Sequence, residues 1–179
     1  MIFRTVTSAS YILCGALSCL FLTCAGVPTG LEPVTDFDVE RYTGKWYEIA
    51  RLDHSFERGL SRVTAEYSKS DSGDILVVNR GFDEKKKKWK AIEGRAVFVG
   101  SSRVGSLKVS FFGPFYGSYI IFELDKDDYE YAFVCGSKTS YLWLLSRTPE
   151  VDEKLLANFI NKAKELGFET ENLIYVDHK

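Results

Sequence analysis

The chain has 179 residues, 45% hydrophobic and 15% aromatic, with 23 basic and 25 acidic side chains and a formal net charge of −2 at neutral pH. That length fits one domain with a real core, since roughly 150 residues bury about 68–70% of their unfolded surface, and a disordered tail is excluded. Near-neutrality and a pI of about 5.8 also exclude a protein that grips nucleic acid through bulk charge.

Residues 11–22 form an apolar run of 12 positions behind a single charge, Arg4. A membrane-spanning helix needs about 20 such residues, whereas the core of a secretory signal has about 7–15. Residues 1–23 are therefore expected to be an export signal, residues 24–33 a flexible tether and residues 34–179 the folded domain. Removing 1–23 takes away Arg4 alone, leaving 22 basic against 25 acidic groups. Cys14, Cys19 and Cys24 fall at the signal and Cys135 alone in the body, so no internal disulfide is expected. Cys24 closes the apolar run ahead of Ala25-Gly26-Val27-Pro28-Thr29-Gly30 and resembles the acylated cysteine of a bacterial lipoprotein signal. Cys19 is the alternative attachment site, and ordinary cleavage near Ala25 stays open. A multiply acylated cysteine holds a membrane durably, where one acyl chain gives only marginal anchoring.

The body reads as short β-rich runs. After residues 46–51 they recur at 63–67, 75–82, 89–99, 106–112, 119–124, 129–135 and 141–146, separated by turns rich in Gly, Asp, Ser, Pro and Lys. Eight antiparallel strands in hairpin order predict an all-β, up-and-down barrel, which leaves no free edge; a sandwich is the alternative. Thr148-Pro149-Glu150 predicts a helix start with Thr148 as N-cap. Val151, Leu155, Leu156, Phe159, Ile160, Ala163 and Leu166 then recur at helical spacing and Gly167 ends the run. That stripe is expected to pack on the outside of the barrel, with a last short strand at 173–176 pairing with the first.

Gly44-Lys45-Trp46-Tyr47 at the start and Arg147 after the last barrel strand resemble the lipocalins, in which the Trp closes one end of the barrel and the Arg packs across its indole. Glu48-Ile-Ala-Arg-Leu-Asp-His-Ser-Phe-Glu-Arg-Gly59, Lys108-Val-Ser-Phe-Phe-Gly-Pro-Phe-Tyr-Gly117 and Leu145-Ser-Arg-Thr-Pro149 are similar to the bacterial outer-membrane lipocalins related to apolipoprotein D. The resemblance covers roughly residues 34–177. It implies a chain lipid-anchored at the cell outer membrane, on its periplasmic face. It also implies binding or transport of fatty acids or lysophospholipids, with no cofactor; a homodimer is compatible with the sequence.

Alternation places Trp46, Glu48 and Ala50 on one inward face. Ala65, Tyr67, Ile75, Val77, Asn79, Ile92, Gly94, Ala96, Phe98, Val109, Phe111, Tyr119, Ile121, Tyr141, Trp143 and Leu145 follow on the other strands. Small residues beside wide rings predict a lumen with room for an aliphatic chain, although a solid aromatic core is the alternative. Tyr67, Val77, Asn79, Val109, Phe111, Tyr119 and Trp143 are the candidate ligand contacts, with Asn79, Tyr67, Tyr119 and the Trp143 indole available to a polar head group. No catalytic set or metal site is expected: His54 and His178 are the only histidines, and a single body cysteine makes no metal cluster. An enzyme using Glu48 or Cys135 is the competing function. Glu48 is expected to pair with Arg147, and Cys135 to be a small buried hydrophobe. The lysines at 85–88 read as a solvated hairpin tip, with contact to anionic lipid as the alternative.

Overall fold

The computed structural model describes residue 28, residues 30–70 and residues 73–179. The expected signal, Cys14, Cys19, Cys24 and most of the expected tether lie outside the described residues, as do Asp71 and Ser72 of one expected turn.

The elements in order are α1 (Val39–Tyr42), β1 (Gly44–Arg51), β2 (Leu60–Lys69), β3 (Ile75–Asp83), β4 (Lys88–Phe98), β5 (Ser106–Phe112), β6 (Phe115–Leu124), β7 (Tyr131–Cys135), β8 (Leu142–Ser146), α2 (Glu153–Glu165) and β9 (Ile174–Tyr175). Each strand from β2 to β8 pairs with the next, β8 pairs with β1, and β1 returns to β2, so the eight strands close. Closure satisfies the backbone groups that an open edge would leave bare. β9 adds outside the closed ring, with Ala50 opposite Tyr175 and Arg51 opposite Ile174. It fills the place β2 vacates: β2 follows β1 only from Gly44 to Tyr47, and further along the Arg62 N–H donates to Asp177 O at 2.7 Å.

One irregularity in β1 decides what faces the lumen. Glu48 lies opposite Leu145 but Ala50 lies opposite Leu144, so Ile49 is an extra residue and β1 carries a bulge. A bulge re-aims every side chain beyond it. The expected alternation of Trp46, Glu48 and Ala50 therefore fails at its third member. Ala50 joins Ile49 and Leu52 in the cluster beneath α2, and the inward position passes to Arg51.

Two apolar clusters sit on opposite faces of the wall. Inside are Trp46, Ala65, Tyr67, Ile75, Val77, Ala96, Ile121, Val134 and Leu145, with Val109, Phe111, Tyr119 and Trp143 packed against them. Outside, Phe122, Phe133, Cys135 and Leu144 meet Phe159 and Ala163 of α2, so β6, β7 and β8 are apolar on both faces. The polar outer face of β2, with Thr64, Glu66 and Ser68, has no such cover. α2 begins later than its sequence suggested, because Asp152, not Thr148, caps it, accepting from the Leu155 N–H at 2.7 Å. The Thr148 hydroxyl instead turns to Glu150 O. Gly167, at φ +82°, ends the helix in a Schellman arrangement: its N–H reaches Lys164 O and that of Phe168 reaches Ala163 O. The single turn α1, capped by Asp38 on the Glu40 N–H, was not expected from the sequence.

Candidate functional site

The end of the barrel beneath α1 is sealed. Trp46 is fully buried, and its indole N–H donates to Tyr42 O at 2.8 Å. The Arg147 guanidinium stands 3.8 Å above the indole centroid. Its Nη1, Nη2 and Nε donate to the carbonyls of Lys45, Arg41 and Tyr129 at 3.0, 2.7 and 3.2 Å. Gly44 sits at φ +92°, a conformation open to glycine, and a Cβ there would come within 3.5 Å of Arg147 Nη1. Gly44, Trp46 and Arg147 thus meet at this floor.

Three phenols lie inside this floor. Tyr119 OH is 2.7 Å from Tyr42 OH and 2.8 Å from Tyr67 OH. Burial pushes all three well above the usual phenol range, so they stay protonated. Asn79, on the inward face of β3, leaves its buried Oδ1 without a hydrogen-bond partner. Gly94 offers no spare room: a Cβ there would lie 2.6 Å from the Phe111 ring and 2.7 Å from Ser110 O. The space expected beside Gly94 is taken by Phe111.

The part of the lumen nearest the β1–β2 loop is charged. Arg51 is 1% exposed and bridges two carboxylates: Nη1 donates to Glu48 Oε1 at 3.1 Å, Nη2 donates to Glu57 O at 2.9 Å, and Nε lies 3.7 Å from Glu57 Oε2. The expected partner of Glu48, Arg147, is occupied at the sealed end; the bulge at Ile49 delivers Arg51 instead. Trp143 Nε1 donates to Glu57 Oε2 at 3.3 Å. His54 Nε2 is 3.0 Å from the same oxygen, at ion-pair distance but off the line of a hydrogen bond. Burial, reinforced by the neighbouring Glu57, pushes the Glu48 carboxyl well above its usual range, so it keeps its proton. Burial also works against charge on Glu57, but His54, Glu48 and the indole outweigh it and hold that carboxyl below its usual range. The result is one buried carboxylate, one protonated carboxyl and one guanidinium, with Arg51 Nε and both His54 nitrogens lacking hydrogen-bond partners. Sequence reading left Arg51 and Glu57 unassigned and took His54 for a solvated or hydrogen-bonded histidine of the loop after β1.

Above the cluster the β1–β2 loop folds over the barrel mouth. The His54 ring stacks on Phe56 at 4.0 Å and lies 5.2 Å from Trp143, which in turn stacks on Tyr141 at 6.1 Å. Two concavities, of about 620 and 320 Å³, lie on the outside of the wall, one beside Arg62 and Trp89 and one beside Leu31 and Leu166. Cys135 faces α2, and burial pushes its thiol up to about 12. Among the described residues no group of three His, Cys, Asp or Glu side chains is placed to hold a metal.

Eight antiparallel strands thus close over a Trp floor beneath an Arg, with a charged network buried below the mouth. A sequence profile described as Lipocalin-like domain matches residues 37–178, and the chain belongs to that family. Outer membrane lipoprotein Blc of Vibrio cholerae serotype O1 is 58% identical over 168 residues, spanning 94% of this chain and 96% of that protein. The Blc protein of Escherichia coli K12 is 46% identical over 149 residues (83% and 84%), and rat apolipoprotein D 31% over 150 residues (77% and 78%). The crystal structure of insecticyanin from the tobacco hornworm superposes with a TM-score of 0.69 at 22% identity, covering 86% of this chain and 87% of that one, a likeness of fold. The names of the two bacterial relatives carry the outer-membrane location expected for this chain.

Proposed function

We propose that the protein binds and carries long-chain amphiphiles, fatty acids or lysophospholipids, in the bacterial cell envelope, tethered to the outer membrane through an acylated Cys24. The observation that carries the reading is a set of buried polar atoms without hydrogen-bond partners, Arg51 Nε, His54 Nδ1 and Nε2 and Asn79 Oδ1, in a lumen charged at one end and largely apolar along its remaining wall; Arg51 Nε and His54 Nε2 have only ion-pair contacts to Glu57. Buried polar groups without partners are costly, and an anionic or zwitterionic head group supplies what Arg51 and His54 lack. The acyl chain runs along Val77, Val109 and Phe111 towards Tyr67 and Tyr119, at about 0.8 kcal/mol for each methylene removed from water. Entry is past Phe56 and Trp143.

Displacement of a fluorescent fatty acid by unlabelled long-chain acids and lysophospholipids tests this. Saturable one-to-one displacement that weakens as the chain shortens is the expected result. The enzyme reading has less behind it: Cys135 lies on the wrong face of the wall with a thiol that stays protonated, and the Glu48 carboxyl is buried against Arg51 at 3.1 Å. Turnover of an envelope lipid that disappears in Glu48→Gln would sink the carrier reading.

A further inference from the structure

The antiparallel order puts the β1–β2, β3–β4, β5–β6 and β7–β8 connections at one end of the barrel, opposite the Trp46 floor. This mouth rim carries the largest apolar side chains that the fold leaves in water. Phe112 and Phe115 face each other across the β5–β6 hairpin and are 72% and 79% exposed. Phe56 on the β1–β2 loop is 56% exposed, and Trp89, just past the β3–β4 turn, is 59% exposed. Three separate hairpins thus present rings at one end, where burial inside the fold could have hidden them.

Charge is sorted the same way. The four connections with the strand ends beside them, 52–59, 83–90, 112–115 and 136–141, hold seven Lys or Arg residues against four Asp or Glu, and Glu57 of these is buried in the lumen. At the opposite end the β6–β7 loop, residues 125–130, carries four carboxylates against Lys126. Lys87 is paired with Glu84 and Lys90 with Asp83. Lys85, Lys86 and Lys88 make no ion pair among the described residues. The Glu84 N–H donates to Gly59 O at 3.3 Å, so the lysine hairpin and the β1–β2 loop form one continuous rim.

We propose that this rim docks on an anionic phospholipid surface, with Phe112 and Phe115 entering the acyl boundary and Lys85, Lys86 and Lys88 on head-group phosphates. Rings that reach below the head groups, with flexible lysines around them, match an interface that is apolar beneath and negative above. A folded protein partner would need shape complementarity that two phenyl rings on a hairpin tip do not supply. Docking at the mouth places the lumen entrance against the membrane, where an amphiphile can pass without crossing water. The surface stands whether or not the lumen takes the ligand proposed above, and the two can fail separately.

Full-length protein anchored in phosphatidylcholine vesicles is offered a second, labelled population rich in phosphatidylglycerol, and capture of the label is read by flotation. Capture is expected to fall steeply with added salt. The triple variant Lys85→Glu, Lys86→Glu, Lys88→Glu weakens it at least about a hundredfold, and Phe112→Ser with Phe115→Ser at least about tenfold. Both variants keep the unfolding midpoint and fatty-acid affinity of the parent. Equal capture of phosphatidylcholine vesicles, capture indifferent to salt, or capture that survives either variant overturns the proposal. Fatty-acid binding without capture overturns it too and leaves the ligand reading intact.

Discussion

Arg147 stands 3.8 Å over the Trp46 ring while its three donor groups hold the carbonyls of Arg41, Lys45 and Tyr129. One side chain therefore ties α1, the start of β1 and the β6–β7 loop to the floor of the barrel. Lysine cannot make these bonds together, because it lacks the planar fork. Arg147→Lys is expected to lower stability by about 1–3 kcal/mol, read from urea unfolding. Trp46→Ala removes a fully buried indole at about 3–5 kcal/mol and is expected to unfold the domain at ordinary temperature.

The Glu48–Arg51–Glu57 network gives stability two opposed pH limbs. Glu48 has its folded pKa raised above the unfolded value near 4.5. Its contribution is full below that value and is lost as pH rises through the folded one. Glu57 has its folded pKa lowered; its contribution is present above about 4.5 and is lost as pH falls through the folded value. Urea midpoints measured against pH should show Glu48→Gln flattening the alkaline limb and Glu57→Gln the acid one. Arg51→Ala leaves the Glu57 carboxylate buried without its cation and should cost about 3–5 kcal/mol at neutral pH.

Gly94 should not tolerate a methyl group. The added Cβ would meet Phe111 and the backbone oxygen of Ser110 below 3 Å, and the backbone oxygen cannot swing aside. Gly94→Ala is expected to cost about 1–3 kcal/mol. Because Phe111 must move, it should also change fatty-acid affinity, measured by displacement.

Trp143 and Cys135 separate the two faces of the wall. Trp143→Ala should weaken fatty-acid binding about tenfold or more while the domain stays folded, since the half-buried indole meets the lumen and donates to Glu57. Cys135→Ala should leave binding unchanged and cost about 1 kcal/mol. The native thiol should resist a soluble maleimide until the protein unfolds.

The strand count and the helix were legible in the sequence because each rests on local signals, period-two alternation and a helical stripe, whereas the meeting of Trp46 with Arg147 followed only from the resemblance to the lipocalins. The lumen wall was legible as far as alternation held. It failed at Ile49, where one extra residue rotates the rest of β1 and exchanges Ala50 for Arg51. A bulge depends on the pairing of β1 with β8, which are about 95 residues apart in the chain, and no local pattern announces it. Glu57 and His54 stayed hidden for a related reason. They come from a connection, read by default as solvated, that here folds back over the mouth. The only hint was the placing of Arg51 at the end of an apolar strand, a charge with no evident surface to face.

Native mass spectrometry of the protein extracted from its own membrane tests the central claim, that the lumen holds a long-chain amphiphile. The account predicts a one-to-one adduct with the mass of a fatty acid or lysophospholipid, released on unfolding and diminished in Trp143→Ala. Protein that emerges without any adduct and fails to displace a fluorescent fatty acid would contradict it.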